Sequence, residues 1–234
     1  MFVQRIESRL DRLASWLQQP SLAVVGLVLV HLALLTPVPQ ADPDLFARVA
    51  VGRLVELQGG VAHEDPFSFS PRLDRWVDHE WLSGVVFYQT AEFGGDLGLL
   101  VLNYLFLILT ITTLVRAHRE FSGRSRVGLV WLLASLTLLY GVWVSVIRCR
   151  VFSFLAVSLL ILVLVRWRNG KSRWLWILPP MFLLWANIHG GFVAGLGLLG
   201  SVACAVAAKT PRKSFQLWLV LALSILATLV NPYG

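Results

Sequence analysis

Apolar residues in this chain come in long runs separated by short polar connections. The runs cover residues 21–38, 97–115, 127–147, 151–165, 174–188, 190–208 and 215–230. A helix rises ~1.5 Å per residue and the hydrocarbon core of a bilayer is ~30 Å thick, so runs of about 20 apolar residues predict membrane-crossing helices. The pattern predicts an all-α polytopic membrane protein with about seven transmembrane helices. The shortest runs, 151–165 and 174–188, leave their ends undefined.

Two regions break this pattern. In residues 1–19, Val3, Ile6, Leu10, Leu13 and Leu17 recur at helical spacing with Arg5, Arg9 and Arg12 among them. That predicts an amphipathic helix lying on an anionic leaflet. A cleaved signal peptide is the rival reading, but a cleavage site before Asp42 needs a small residue where Pro39 stands, so an uncleaved anchor is expected. The second region, 39–96, is too long for a plain connector. Within it, Asp44–Leu57 reads as an amphipathic helix started by Asp-Pro-Asp and stopped by Gly59-Gly60. His79–Phe93 reads as another, ended by Gly94-Gly95. Between them Phe67 and Phe69 alternate with Ser68 and Ser70 after an Asp-Pro turn, the pattern of a short extended piece. The expectation is a large first extracytoplasmic loop carrying two surface helices.

Composition supports the bilayer: 57% of residues are hydrophobic and 14% charged, against roughly a quarter charged in a soluble domain. The net charge of +7 does not call for nucleic acid, because the basic residues follow the connections between runs. With the N-terminus in the cytoplasm, 14 of the 20 Lys and Arg residues fall inside. The six outside are Arg48, Arg53, Arg72, Arg75, Arg148 and Arg150. The positive-inside rule therefore orients the chain in a cytoplasmic (inner) membrane with residues 39–96 outside. Acids go the other way, since eight of the 13 lie between Asp42 and Glu80. The two cysteines, Cys149 beside a loop and Cys204 deep in an apolar run, are expected at different depths, too far apart for a disulfide.

On this map further polar residues reach the outer face: Arg148 and Arg150 between the third and fourth spans, Asn187 and His189 after the fifth, and Asn231 after the seventh. Polar groups near membrane depth usually face a bundle interior or a wet cavity, so their convergence marks a candidate site. Each also has a plainer reading. Asp44 and Arg48 stand at i and i+4, as in a surface pair worth ~0.3–0.5 kcal/mol. Asp42 and Asp65 precede prolines and could serve as turn formers. Asp78, His79 and Glu80 suit a helix N-terminus, Arg148 and Arg150 suit lipid phosphate, and Asn187 and His189 suit a helix end. His31 is expected to bond a neighbouring helix, and Trp174, Trp176 and Trp218 to belong to an interfacial belt. No phosphate-binding glycine loop, CxxC, HExxH or nucleophile elbow occurs.

The segments "DPDLFARVAVGR", "DPFSFSP", "WVDHEWLSGVVFY", "RCRVFSF", "WANIHGGFVAGLGLL" and "NPYG" together resemble the N-terminal half of GT-C membrane glycosyltransferases. That superfamily includes oligosaccharyltransferase catalytic subunits and protein O-mannosyltransferases. The resemblance spans residues 20–234 and implies a GT-C-like transmembrane domain, longer in relatives, so that this chain is expected to be truncated at its C-terminus. It implies sugar transfer from a polyprenyl-phosphate donor, held in the lipid bilayer, to an unidentified acceptor outside. An Asp early in the first external loop is then the base or acceptor activator: Asp44, with Asp42 as the near alternative. Relatives place His four residues later, where this chain has Arg48, and a Trp-rich patch where Phe46 remains. Substrate contacts are expected from Arg148, Arg150, His189, Asn187, His79, Glu80 and Arg48. If a divalent metal serves, Mg²⁺ or Mn²⁺ on Asp44 and Asp65 matches oxygen ligands. A non-catalytic subunit or inactive homologue that binds polyprenyl phosphate is the alternative, and a transporter or flippase a further one, although no internal repeat is evident.

Overall fold

The computed structural model describes residues 43–67, 69, 76–123 and 147–233. The predicted amphipathic helix over 1–19, the run 21–38, the run 127–147 apart from Ile147, Asp42, Ser68 and Ser70 lie outside them. The described residues are helical, without strands: α1 Pro43–Gln58, α2 Trp81–Ser122, α3 Arg150–Arg168, a 3₁₀ turn Ser172–Ile177, α4 Leu178–Ile188, α5 Phe192–Ala207 and α6 Pro211–Thr228.

Local chemistry sets the helix ends. Pro43 opens α1, where its missing N–H costs nothing, and Asp44 lies in the first turn against the positive end of the dipole. Gly59 closes α1 at φ 66°, a left-handed geometry suited to glycine. The helix predicted over 79–93 and the run 97–115 form one element, α2, interrupted at Gly95 (φ 56°, ψ −150°). No side-chain-bearing residue adopts that conformation readily, so Gly95 divides α2 into a first arm and a long apolar arm. The run 174–188 is likewise broken. Pro179 and Pro180 occupy the first turn of α4, where proline is tolerated, while deeper in a helix each would remove a hydrogen bond. The chain before them winds as a 3₁₀ turn. The Asp65-Pro66 turn forms as expected, with the Phe67 amide donating to Asp65 Oδ1 at 2.8 Å.

Among the described residues two helices, α2 and α3, are long and apolar enough to cross a membrane. Along α2, Leu97, Val101, Leu105 and Leu109 form an every-fourth-residue stripe that is 69, 58, 48 and 40% exposed. Apolar area of that extent is unfavourable in water and favourable in lipid. The larger core packs α3, α4, α5 and α6 around Leu160, Leu178, Phe182, Trp185, Leu199 and Leu217. A second joins α1, α2 and the start of α3 through Leu45, Phe87, Leu99, Val151 and Phe152. Phe152 meets Phe106 edge-on at 4.7 Å between ring centroids.

At the far end of α3, Arg166 is buried and donates to Glu120 through Nε (3.1 Å) and Nη2 (2.9 Å), with its guanidinium over the Trp174 ring at 4.0 Å. Forked pairing of this kind is geometrically selective, and it locks the end of α2 to α3.

Helix α1 crosses α2 at a glycine pair. A Cβ on Gly52 would overlap the Gly84 carbonyl, and one on Gly84 would lie 2.7 Å from the Arg48 carbonyl oxygen. Only glycine at both positions permits this approach, which carries Arg48 over the start of α2. Gly52→Val is expected to destabilise the fold by about 2 kcal/mol through overpacking. The readouts are a lowered unfolding midpoint in detergent and faster tryptic cleavage after Arg48 and Arg53.

Candidate functional site

The start of α2 presents two carboxylates to the positive end of a helix. Asp78 Oδ1 accepts the Glu80 amide at 3.0 Å, and the Ser83 hydroxyl donates to the Glu80 carbonyl at 2.7 Å. These bonds shape the turn and aim the Glu80 side chain across the bundle. Arg48 from α1 pairs with Asp78 and reaches Glu80 Oε2 at 3.8 Å. Asp78 is buried, and its second oxygen, Oδ2, has no hydrogen-bond partner among the described residues.

Glu80 is the hub. Its Oε2 accepts the Cys149 thiol at 3.1 Å, and its Oε1 faces His189 Nε2 at 3.5 Å and His79 Nε2 at 3.8 Å. Four parts of the chain therefore meet at one carboxylate: α1, the turn before α2, the approach to α3, and the α4–α5 turn. The ion-paired residues Asp44 and Arg148 stand beside them, 3.3 Å apart.

Hydrogen bonds decide the protonation of His189. The Gly191 amide donates to Nδ1 at 3.0 Å, and an amide N–H can only donate. Trp185 Nε1–H donates to Ser153 Oγ at 2.7 Å, leaving the Ser153 hydroxyl proton for His189 Nδ1 at 2.6 Å. Nδ1 is thus an acceptor twice over, and the neutral ring carries its proton on Nε2, toward Glu80. Gly191 must be small here, because a Cβ would lie 2.5 Å from Ser153 Oγ and 2.8 Å from Nδ1. Burial lowers the His189 pKa, outweighing the opposing pull of Glu80. Burial also raises the Cys149 thiol to about 12, assisted by its bond to Glu80, so Cys149 is a hydrogen-bond donor and a poor nucleophile.

Glu80, Cys149 and His189 each place one ligand-type atom within 4.8 Å of the others. This oxygen, sulfur and nitrogen set does not suit Mg²⁺ or Mn²⁺, which prefer oxygen. A metal on Nε2 would moreover move the ring proton to Nδ1, against the Gly191 N–H. Within the trio Cys149 Sγ donates to Glu80 Oε2, and His189 Nε2 lies 3.5 Å from Glu80 Oε1. Of the two carboxylates expected to ligate a metal, Asp44 pairs with Arg148, and Asp65 closes its own turn.

Most of the sequence-predicted residues gather here. Arg48, His79, Glu80 and His189 meet directly, and Arg150 lies near enough to His189 to disfavour its protonation. Asn187 plays a supporting part, accepting from Trp81 Nε1 at 2.9 Å and donating to the Val230 carbonyl at 3.0 Å. Asp44 and Arg48, four residues apart, face different partners: Arg148 for the first, Asp78 and Glu80 for the second. Cys149 and Ser153 were not anticipated. The signal for Ser153 lies in "RCRVFSF", three residues beyond Arg150 on the same helical face, whereas nothing local marks Cys149.

Comparison with protein-family models, with curated proteins and with solved structures gave no match.

Two measurements check this electrostatic picture. Cys149 is expected to alkylate with iodoacetamide at least tenfold more slowly at about pH 8 in the folded protein than after unfolding in dodecyl sulfate, followed by peptide mass spectrometry, because the thiolate is scarce. For His189 the folded pKa lies below the unfolded one. Its contribution to stability is therefore complete above about pH 6.5 and is lost as pH falls through the lowered value. The unfolding midpoint should drop as pH falls below about 6.5, and His189→Gln should flatten that slope.

Proposed function

We propose that the chain is a membrane glycosyltransferase of the GT-C type. In this reading it transfers a sugar from a polyprenyl-phosphate donor to an acceptor at the extracytoplasmic face of the cytoplasmic membrane. The seven-span topology, the cytoplasmic N-terminus and the surface position of α1 and of the first arm of α2 belong to this proposal. The observation that carries it is the Asp44–Arg148 pair, 3.3 Å apart at the edge of a buried polar network. It puts an accessible carboxylate beside a guanidinium, the two charges that the reaction needs at neighbouring points.

Asp44 accepts the proton of the acceptor hydroxyl or amide as that atom bonds to the anomeric carbon. The bond from the anomeric carbon to the phosphate oxygen breaks, and polyprenyl phosphate departs. Arg148 and Arg150 neutralise the charge developing on it. Donor phosphate competes with Asp44 for Arg148, so donor binding frees the base. His79, 63% exposed, can donate to the sugar or phosphate, while Arg48, Glu80 and His189 keep the floor rigid. A cavity of about 470 Å³ lined by Trp81, Leu183, Leu184, Asn187 and Val230 has the apolar character required by an isoprenoid chain. No step runs through a metal.

Full-length protein in proteoliposomes, supplied with polyprenyl-phosphate hexose and assayed for release of polyprenyl phosphate, tests the reading. Asp44→Asn is expected to reduce turnover by at least 100-fold with donor binding retained, and Arg148→Gln to weaken donor binding. Unchanged turnover in Asp44→Asn overturns the catalytic assignment. Donor binding that depends on Arg148 without any turnover in the native protein points instead to a non-catalytic polyprenyl-phosphate-binding subunit.

A further inference from the structure

The opposite end of α3 carries a second concave surface, separate from the Glu80 network. Helix α3 is 19 residues long, or about 28 Å, close to the thickness of a bilayer's hydrocarbon core. Its last turn, the end of α5 and the start of α6 enclose a cavity of about 890 Å³. Trp167, Val206 and Phe215 form apolar walls, and Lys209, Arg212 and Lys213 stand at the mouth with Arg168 on the α3 side. Among the described residues that line it, none is acidic. Lys209, Arg212 and Lys213 are exposed, and Arg168 lies over the Phe121 ring at 4.2 Å. Trp167 Nε1 donates to Gln216 Oε1 at 3.4 Å, joining the two helices that flank the opening.

We propose that this groove binds an anionic phospholipid, with the phosphodiester among Lys209, Arg212 and Lys213 and an acyl chain along Trp167, Val206 and Phe215. The charge complementarity is one-sided, since several cations and no lining acid surround an opening with apolar walls. A soluble anion would satisfy the cations and leave those walls wet, whereas a lipid satisfies both. The adjoining basic turn, Arg166 to Arg173, draws on the same leaflet, but Arg166 is committed to Glu120 and so is not counted among the headgroup ligands. The site lies at the end of α3 opposite to Arg150 and is independent of the transferase reading.

Full-length protein purified in a neutral detergent is titrated with phosphatidylglycerol and with phosphatidylcholine of the same chains, and bound lipid is counted by native mass spectrometry. The native protein is expected to prefer phosphatidylglycerol at least tenfold. Each cation near an anionic lipid contributes about fivefold, so the triple variant Lys209→Gln, Arg212→Gln, Lys213→Gln should lose that preference, and its charge-retaining counterpart Lys209→Arg, Arg212→Lys, Lys213→Arg should keep it. If the triple variant fails to fold, Arg212→Gln and Lys213→Gln are read singly, each with an expected severalfold loss. Inorganic phosphate at millimolar concentration should not displace the lipid. No preference in the native protein, a preference that survives charge removal, or displacement by inorganic phosphate each overturns the proposal.

Discussion

A carboxylate at the margin of an apolar bundle is costly unless donors surround it, and the Glu80 side chain has donors on every side. Arg48, Cys149 and the imidazoles of His79 and His189 converge on its two oxygens. None of these partners is close to another in sequence, and only His79 adjoins Glu80. The network therefore ties α1, α2, α3 and the α4–α5 turn together at one end, as the Arg166–Glu120 pair ties α2 to α3 at the other. Losing one partner of such a group would leave a desolvated charge behind, so the network acts as a single unit.

Packing serves this arrangement. Close approach of α1 and α2 at Gly52 and Gly84 delivers Arg48, while Phe87 and Phe152, 5.6 Å apart between centroids, fill the space beneath the polar layer. Gly191 lets the backbone approach His189 closely enough to set its tautomer, and Trp185 sets the Ser153 hydroxyl that completes the arrangement. Asp44 and Arg148, nearer the exposed rim, remain accessible to a substrate.

Within the proposed function the division of labour follows burial. Buried groups such as Asp78 and Asn187 hold geometry, and accessible ones such as Asp44 and His79 meet substrate. At the other end the groove beside α6 takes its character from cations at and before the start of α6 beside apolar walls. The two ends therefore differ in chemistry, with paired acids and arginines at one and cations without a lining acid at the other.

The chain's hydrophobic period and its glycines and prolines were enough to foresee an all-helical protein, a helix over Asp44–Leu57 that is observed as Pro43–Gln58, and a helix end at Gly94-Gly95 that is observed as the break at Gly95 within α2. These features depend on neighbours within a few residues. The polar convergence was legible in part, because the apolar runs leave Arg148, Arg150, Asn187 and His189 at helix ends, with few places for them to go. The partners could not be read off. Asp44 and Arg48 share a helix face at the spacing of a surface pair, yet they serve different partners, because α2 crosses at Gly84 and brings Asp78 and Glu80 to Arg48. Cys149 carried no local mark and Ser153 only its spacing from Arg150, and their roles arise only from where α3 meets the turn before α2 and the turn after α4. Local propensity decides where helices start and stop, whereas the partner of a buried charge is decided by which helices cross, and that is a property of the assembled bundle.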